Sequence, residues 1–249
     1  MINKSTMYAL RRLRFLSAIS AWRSLRHLAS YENAYRGKKA VILCNGPSLN
    51  DVDLEALDGV STFGLNKVNL LYGRVSFRPS FLVAVNDLVL SQNADFYQST
   101  DTPLFVDGFN ARRHLRYREN QIHLCCYENG FSRAPEKYVS QGGTVTFVAL
   151  QLAFFMGFQE VALVGCDHYF IEIGAPHSLL HGGETDPNHF DASYFAGQNW
   201  QAPDLQMSER SYAQALKAFQ SHGRLLVNAS TETKLSVLPR QKLTAFLAG

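Results

Sequence analysis

Asp167, His168 and Tyr169 place a carboxyl, an imidazole and a phenol side by side, directly after the apolar run Val161–Val164 and Gly165-Cys166. Such a trio suits general acid/base chemistry. Downstream, the polar stretch 171–207 carries His177, His181, Asp186, His189, Asp191 and Tyr194. Histidine is the side chain best matched to proton transfer near neutral pH. A metal site from Asp167, His168 and a downstream histidine is conceivable, but the spacing matches no metal motif, and no metal ligand is assigned.

A second group of polar residues ends other apolar runs. Val41–Cys44 runs into Asn45, Phe63–Leu65 into Asn66, Leu82–Val85 into Asn86, and Leu225–Val227 into Asn228. An asparagine offers two donors and an acceptor without charge, which suits a ribose, a pyrimidine edge and phosphate oxygens. Each asparagine can equally well just begin a turn. Asn45 opens the tetrapeptide Asn45-Gly46-Pro47-Ser48, where glycine permits close backbone approach, proline stiffens the turn, and serine can cap a helix or donate to phosphate. This is neither a Walker loop nor a G-x-G-x-x-G fingerprint. Gly142-Gly143-Thr144 is a further glycine turn, opening a helix whose N-terminus could hold a phosphate or could be a plain capped turn.

The elements that must position these residues alternate. Strands are expected at Ala40–Cys44, Thr62–Leu65, Phe81–Val85, Leu104–Val106, Ile122–Cys125, Val161–Val164 and Arg224–Val227. Helices are expected at 7–30, 144–156 and 208–221, with a helical turn at 51–57 and Gly157 and Gly223 as stops. Alternation of this kind predicts an α/β fold: a Rossmann-like, mostly parallel sheet with helices on both faces and a C-terminal lid over about 171–207. Residues 1–36 form a basic helical segment and 37–249 the nucleotide-binding, catalytic domain.

Composition excludes several classes. A hydrophobic fraction of 46% and a charged fraction of 18% describe a globular chain. Residues 1–39 carry nine basic side chains against the single acid Glu32, whereas the rest carries fifteen basic against twenty acidic. A nucleic-acid-binding body would be basic, so no nucleic-acid partner is expected. Cys44, Cys125, Cys126 and Cys166 lack zinc spacing and are expected to be reduced and buried, as in a cytoplasmic protein. No apolar run reaches membrane-spanning length, and the N-terminus lacks the features of a signal peptide. The segment 7–30 could lie on an anionic membrane surface, giving peripheral contact with the inner membrane, or pack on its own domain with a solvated basic face. A homo-oligomer is compatible with either arrangement.

The order of these motifs carries a resemblance. NGPSL, two further Asn-ending strands, a Gly/Thr-led helix ending in Gly-aromatic-x-Glu, and Gly-x-Asp-x-Tyr resemble bacterial sialyltransferases of glycosyltransferase family 42 over about residues 38–170. They also resemble the MptE-like (6-hydroxymethylpterin diphosphokinase-like) proteins of surface-polysaccharide gene clusters, to which HFDASYF, NASTETKL and LPR in the C-terminal part are similar. The sialyltransferase resemblance implies that Asn45, Gly46, Pro47, Ser48, Asn66 and Asn86 bind the nucleotide of a CMP-linked sugar. It implies that Gly142, Gly143 and Thr144 face its phosphate, that Tyr169 assists departure of the phosphate, and that a lid histidine, His189, is the base. Asp167 and His168 complete the catalytic set, with His168 standing where those enzymes carry an aromatic residue. The implied function is transfer of an acidic sugar from a CMP-sugar to a cell-surface polysaccharide or lipopolysaccharide acceptor, with no cofactor required. The MptE-like branch implies instead a diphosphokinase using Mg²⁺ and ATP, for which Asp87 and Asp167 are available. A non-catalytic component of a polysaccharide assembly complex is the third reading.

Overall fold

The computed structural model describes residues 4–171 and 174–249; positions 172 and 173 of the expected lid lie outside the described residues, as do residues 1–3. Seven short apolar runs become strands: β1 (Lys39–Leu43), β2 (Ser61–Leu65), β3 (Phe81–Ala84), β4 (Leu104–Asp107), β5 (Gln121–Leu124), β6 (Glu160–Val164) and β9 (Leu225–Asn228). They form one parallel sheet in the order β5-β4-β3-β2-β1-β6-β9. Parallel strands covered on both faces bury both sets of side chains, which is why Val41, Ile42, Leu43, Val161, Ala162 and Leu163 are all fully buried. The fold is the expected Rossmann-like α/β sheet.

The strand order reverses direction between β1 and β6. Strands β2 to β5 are laid down outward on one side, and β6 and β9 on the other. Loops leaving β1 and β6 therefore diverge to opposite faces and leave a crevice at the carboxyl edge, the place where open α/β sheets take ligands.

The helices are α1 (Lys4–Leu16), α2 (Ile19–Ala29), α3 (Asp87–Gln92), α4 (Ala94–Ser99), α5 (Gly108–His114), α6 (Val145–Phe155), α7 (Leu205–Gln220) and α8 (Leu243–Ala248). The single helix expected over 7–30 is two, because the chain breaks at Ser17-Ala18, where Ala18 is extended with ψ 137. α6 is buried nearly throughout, from Thr146 to Phe155, and is the central helix of one core layer. Thr144 caps its start by accepting from Thr146 N–H, and Gly157 with φ +89 ends it, as the sequence predicts. α7 begins at Leu205, earlier than expected, because Asp204 accepts from Met207 N–H and caps it. The turn expected at 51–57 is a pair of 3₁₀ turns, Pro47–Asp51 and Glu55–Leu57. The lid region contains a small antiparallel hairpin, β7 (Leu179–His181) with β8 (Asn199–Gln201). All four cysteines are buried and free.

α2 covers the β5 edge, where Ser24 Oγ accepts from His123 N–H at 2.8 Å. The His123 ring is buried with neither nitrogen hydrogen-bonded, and burial, aided by the Arg112 charge, lowers its pKa to about 4. The unfolded chain takes up this proton near 6.5 and the folded chain only near 4. Stability from this group is therefore complete above pH 6.5 and lost as the pH falls to 4, by about 3 kcal/mol in all. Urea unfolding of wild type and His123→Phe across this range should show the slope in the first and not in the second.

Candidate functional site at the sheet's carboxyl edge

The loops after β1 and β6 are tied together at the crevice. Cys44 N–H donates to Val164 O at 2.8 Å and Gly46 N–H to Gly165 O at 2.9 Å. Ser48 N–H donates to Asp167 Oδ2 at 2.9 Å, and Ser48 Oγ–H donates to Asp167 Oδ1. Burial pushes the Asp167 carboxyl above the usual carboxylate range, and the two Ser48 donors pull it partly back. Gly46 is required by this contact: with φ −71 its backbone suits any residue, but a Cβ there would sit 2.6 Å from Asp167 Cγ.

A cavity of about 500 Å³ opens above these loops, a volume in the usual range of small-molecule sites, ~300–1,000 Å³. Its walls include Asn45, Gly46, Asn66 and Asn86 from the strand ends, Gly143 and Thr144 from the start of α6, and Asp167, His168 and Tyr169 from the β6 loop. His177 and His189 enter from the lid. Pro47, Ser48 and Gly142 are not part of this wall: Pro47 is exposed to solvent, Ser48 is buried on Asp167, and Gly142 N–H points to the Glu128 carboxylate. Asn228 is fully buried away from the cavity, donating to Thr233 Oγ1 and accepting from Ser230 N–H. His181 is paired with Asn199 on the lid hairpin and is not part of the wall.

The strand-end asparagines divide by their partners. Asn86 is fully engaged: its Oδ1 accepts from Val89 N–H, capping α3, and its Nδ2 donates to Gln201 Oε1 at 2.7 Å. Asn45 Oδ1 and Asn66 Oδ1 are shielded from bulk water and receive no hydrogen bond. A buried acceptor without a donor costs about 1–3 kcal/mol; both residues line the cavity, but these two oxygens are not the atoms that face its open space. Asn66 also holds φ +47, a left-handed conformation that asparagine tolerates better than most residues.

His189 is held more firmly than its loop position suggests. Its Nδ1 lies 2.8 Å from Asp186 Oδ2, and its ring stacks on Tyr194 with centroids 4.1 Å apart and planes within 6°. Phe195 and Trp200 close the ring's edges. Burial alone would raise the Asp186 carboxyl. The hydrogen bond and charge of His189, with the N–H groups of Asn188 and Phe195, instead hold it below its ordinary value. An ionised carboxylate only accepts, so Nδ1 carries the proton and Nε2 is left as the acceptor, the tautomer a general base needs. Tyr169 is half-exposed at the mouth with Lys234 Nζ 3.9 Å from its ring centroid. His168, at φ +53, turns its Nε2 to Glu209, 3.2 Å away.

The lid is docked on the same strand ends. Phe190 N–H donates to Asn45 O at 3.0 Å, and Lys67, next to Asn66, donates from Nζ to Tyr194 O at 2.6 Å and Gln198 Oε1 at 2.7 Å. Burial lowers the Lys67 ammonium to about 8, with Asp186 pulling it back up. Lys67→Met leaves the Tyr194 carbonyl unpaired, which should loosen residues 186–198 by about 1–3 kcal/mol. Hydrogen exchange of this segment should quicken while that of α6 stays unchanged.

Two contributors were not singled out from the sequence. Asp186 was visible as the acid three residues before His189, whereas Lys67 carried no sequence signal beyond following Asn66. The three wall carboxylates also have protein donors: Asp167 from Ser48, Glu128 from Gln141 and Gly142, and Asp204 from Met207. No lysine or arginine is among the described residues of the wall. Among the described residues no three His, Cys, Asp or Glu side chains converge as a metal-binding group.

No family model matches the chain, and no curated protein matches it. Among solved structures it is similar to the MAf glycosyltransferase from Magnetospirillum magneticum AMB-1, with a TM-score of 0.53 and 14% identity. The likeness covers 90% of this chain and 38% of that one, so the chain spans well under half of that protein's length. At this identity the shared property is the fold.

Proposed function

We propose that the chain is a glycosyltransferase that takes a nucleotide-sugar donor in the β1/β6 crevice and uses His189 as base on a glycan hydroxyl. The observation that carries this reading is the Asp186–His189 pair set on the wall of a cavity that Asn45, Asn66 and the start of α6 also line. The likeness to a solved glycosyltransferase supports it.

Within that class the donor is a CMP-linked acidic sugar and the acceptor a cell-surface polysaccharide or lipopolysaccharide. No lysine or arginine among the described residues of the wall is placed to grip a diphosphate. The start of α6 supplies a helix dipole and the Val145 main chain at the cavity wall for the donor's single phosphate, the Thr146 and Phe147 N–H groups being bonded to Thr144. The Asn45 and Asn66 side chains, which line the cavity, meet the ribose or the edge of the base. His189 Nε2 removes the acceptor's proton, the acceptor oxygen bonds to the anomeric carbon, and the bond from that carbon to the phosphate oxygen breaks with inversion. The phosphate keeps the electron pair, and the Tyr169 hydroxyl donates to it as charge develops.

A Mg²⁺-dependent diphosphokinase finds less support, because both Asp167 oxygens are turned to Ser48. Release of CMP from a CMP-sugar in the presence of EDTA is the test. Release under these conditions supports the proposal, while AMP release from ATP that depends on Mg²⁺ would replace it with the kinase reading.

A further inference from the structure

α1 and α2 are anchored by one side only. On α1 the buried residue is Phe15, and Arg11 reaches in to the Cys126 carbonyl and toward Asp107; on α2 the buried residues are Ala21, Ser24 and Leu28. The outward side is apolar, not basic. Met7, Leu10, Leu13, Ile19 and Trp22 are between 52% and 75% exposed, which among the described residues is an unusual concentration of large apolar side chains. Met7, Leu10 and Leu13 follow one helical stripe. The Trp22 indole donates to Leu16 O at 2.8 Å and so lies across the α1–α2 junction, joining the two patches.

Exposed Lys4, Arg14, Arg23 and Arg26 flank this stripe, and Glu32 is the only acid in the first 39 residues. The remainder of the chain has the opposite balance, fifteen basic against twenty acidic side chains. Charge is therefore separated onto the face that also exposes the apolar side chains.

We infer that this face docks on an anionic lipid bilayer. Apolar side chains enter the acyl boundary while the flanking arginines meet headgroup phosphates, a combination that neither a purely basic nor a purely apolar face provides. A two-fold contact with a second copy fits less well, since it would bring together two copies of one basic face, with Arg14, Arg23 and Arg26 on each and Glu32 the only acid in the first 39 residues to offset them. α1 reaches Cys126 and Asp107, which leave the carboxyl ends of β5 and β4. The α1 part of the docking face thus lies toward the carboxyl side of the sheet, while α2 runs along β5 to its amino end at Glu119. The inference stands independently of what the cavity binds.

Flotation of the full chain with vesicles of phosphatidylcholine, with and without phosphatidylglycerol, tests it. The protein should float with the anionic vesicles, and Trp22 emission should shift to the blue; the second tryptophan, Trp200, is 9% exposed and should contribute little. Leu10→Gln with Leu13→Gln should lower partitioning at least about tenfold, and Arg14→Gln about fivefold. Both variants alter exposed positions and should keep the wild-type melting temperature. Equal flotation with both vesicle types, or none with either, overturns the inference. So does a lipid-free dimer, seen by light scattering, that the leucine variants abolish.

Discussion

His189→Gln is expected to lower turnover of a CMP-sugar by about 10²–10⁴-fold, the usual range for removing a general base, while CMP affinity stays within about threefold. The split follows from geometry. Asn45, Asn66 and the start of α6 line the cavity from the sheet side, whereas His189 sits on the lid docked beside them, stacked on Tyr194 and oriented by Asp186. Glutamine fills similar volume but cannot take a proton. Asp186→Asn should give a smaller loss of turnover, because an amide can still meet the ring through its oxygen but no longer stabilises the imidazolium. The Asp186 carboxylate also accepts from Phe195 N–H, and its partner oxygen from Asn188 N–H, so part of this variant's effect will appear as a looser lid. A His189→Gln protein with wild-type turnover would remove the proposed base.

The second large effect is on binding. Asn45→Leu and Asn66→Gly should each weaken CMP binding about tenfold to hundredfold, because each removes a polar side chain that lines the cavity. Without ligand the direction differs. Asn45→Leu removes a buried acceptor that has no donor, so the unliganded protein should be as stable or more stable. Asn66→Gly preserves the left-handed φ of +47. The main-chain bonds of both positions survive, because Phe190 N–H and Tyr97 O–H donate to the backbone carbonyls of residues 45 and 66. Calorimetry for affinity and thermal unfolding for stability separate the two effects. Equal loss of both would mean that these amides are structural.

The sheet was legible in the sequence because buried parallel strands are short, continuous apolar runs, and Val161–Val164 or Val41–Cys44 cannot be read as much else. The carboxyl-edge site followed from where those runs end. What escaped had weaker signals. α3, α4 and α5 span two turns or less, too short for a periodicity. The break between α1 and α2 was hidden because leucines recur across Ser17-Ala18 as if one helix continued. The exposed apolar face of those helices depends on which side packs, a tertiary fact. Asn228 resembled the other strand-end asparagines and differs only because the following loop, from Ser230 to Thr233, folds back onto it. Lys67 acts across 127 residues of chain to hold Tyr194, which no local pattern encodes.

The central claim is that the β1/β6 crevice is a nucleotide site for a single-phosphate donor. Calorimetric titration of CMP into the full chain in EDTA tests it most directly, with Asn45→Leu and Asn66→Gly in parallel. Saturable CMP binding that the two substitutions weaken is the predicted result. No CMP binding, together with tight binding of Mg²⁺ and ATP, would contradict it.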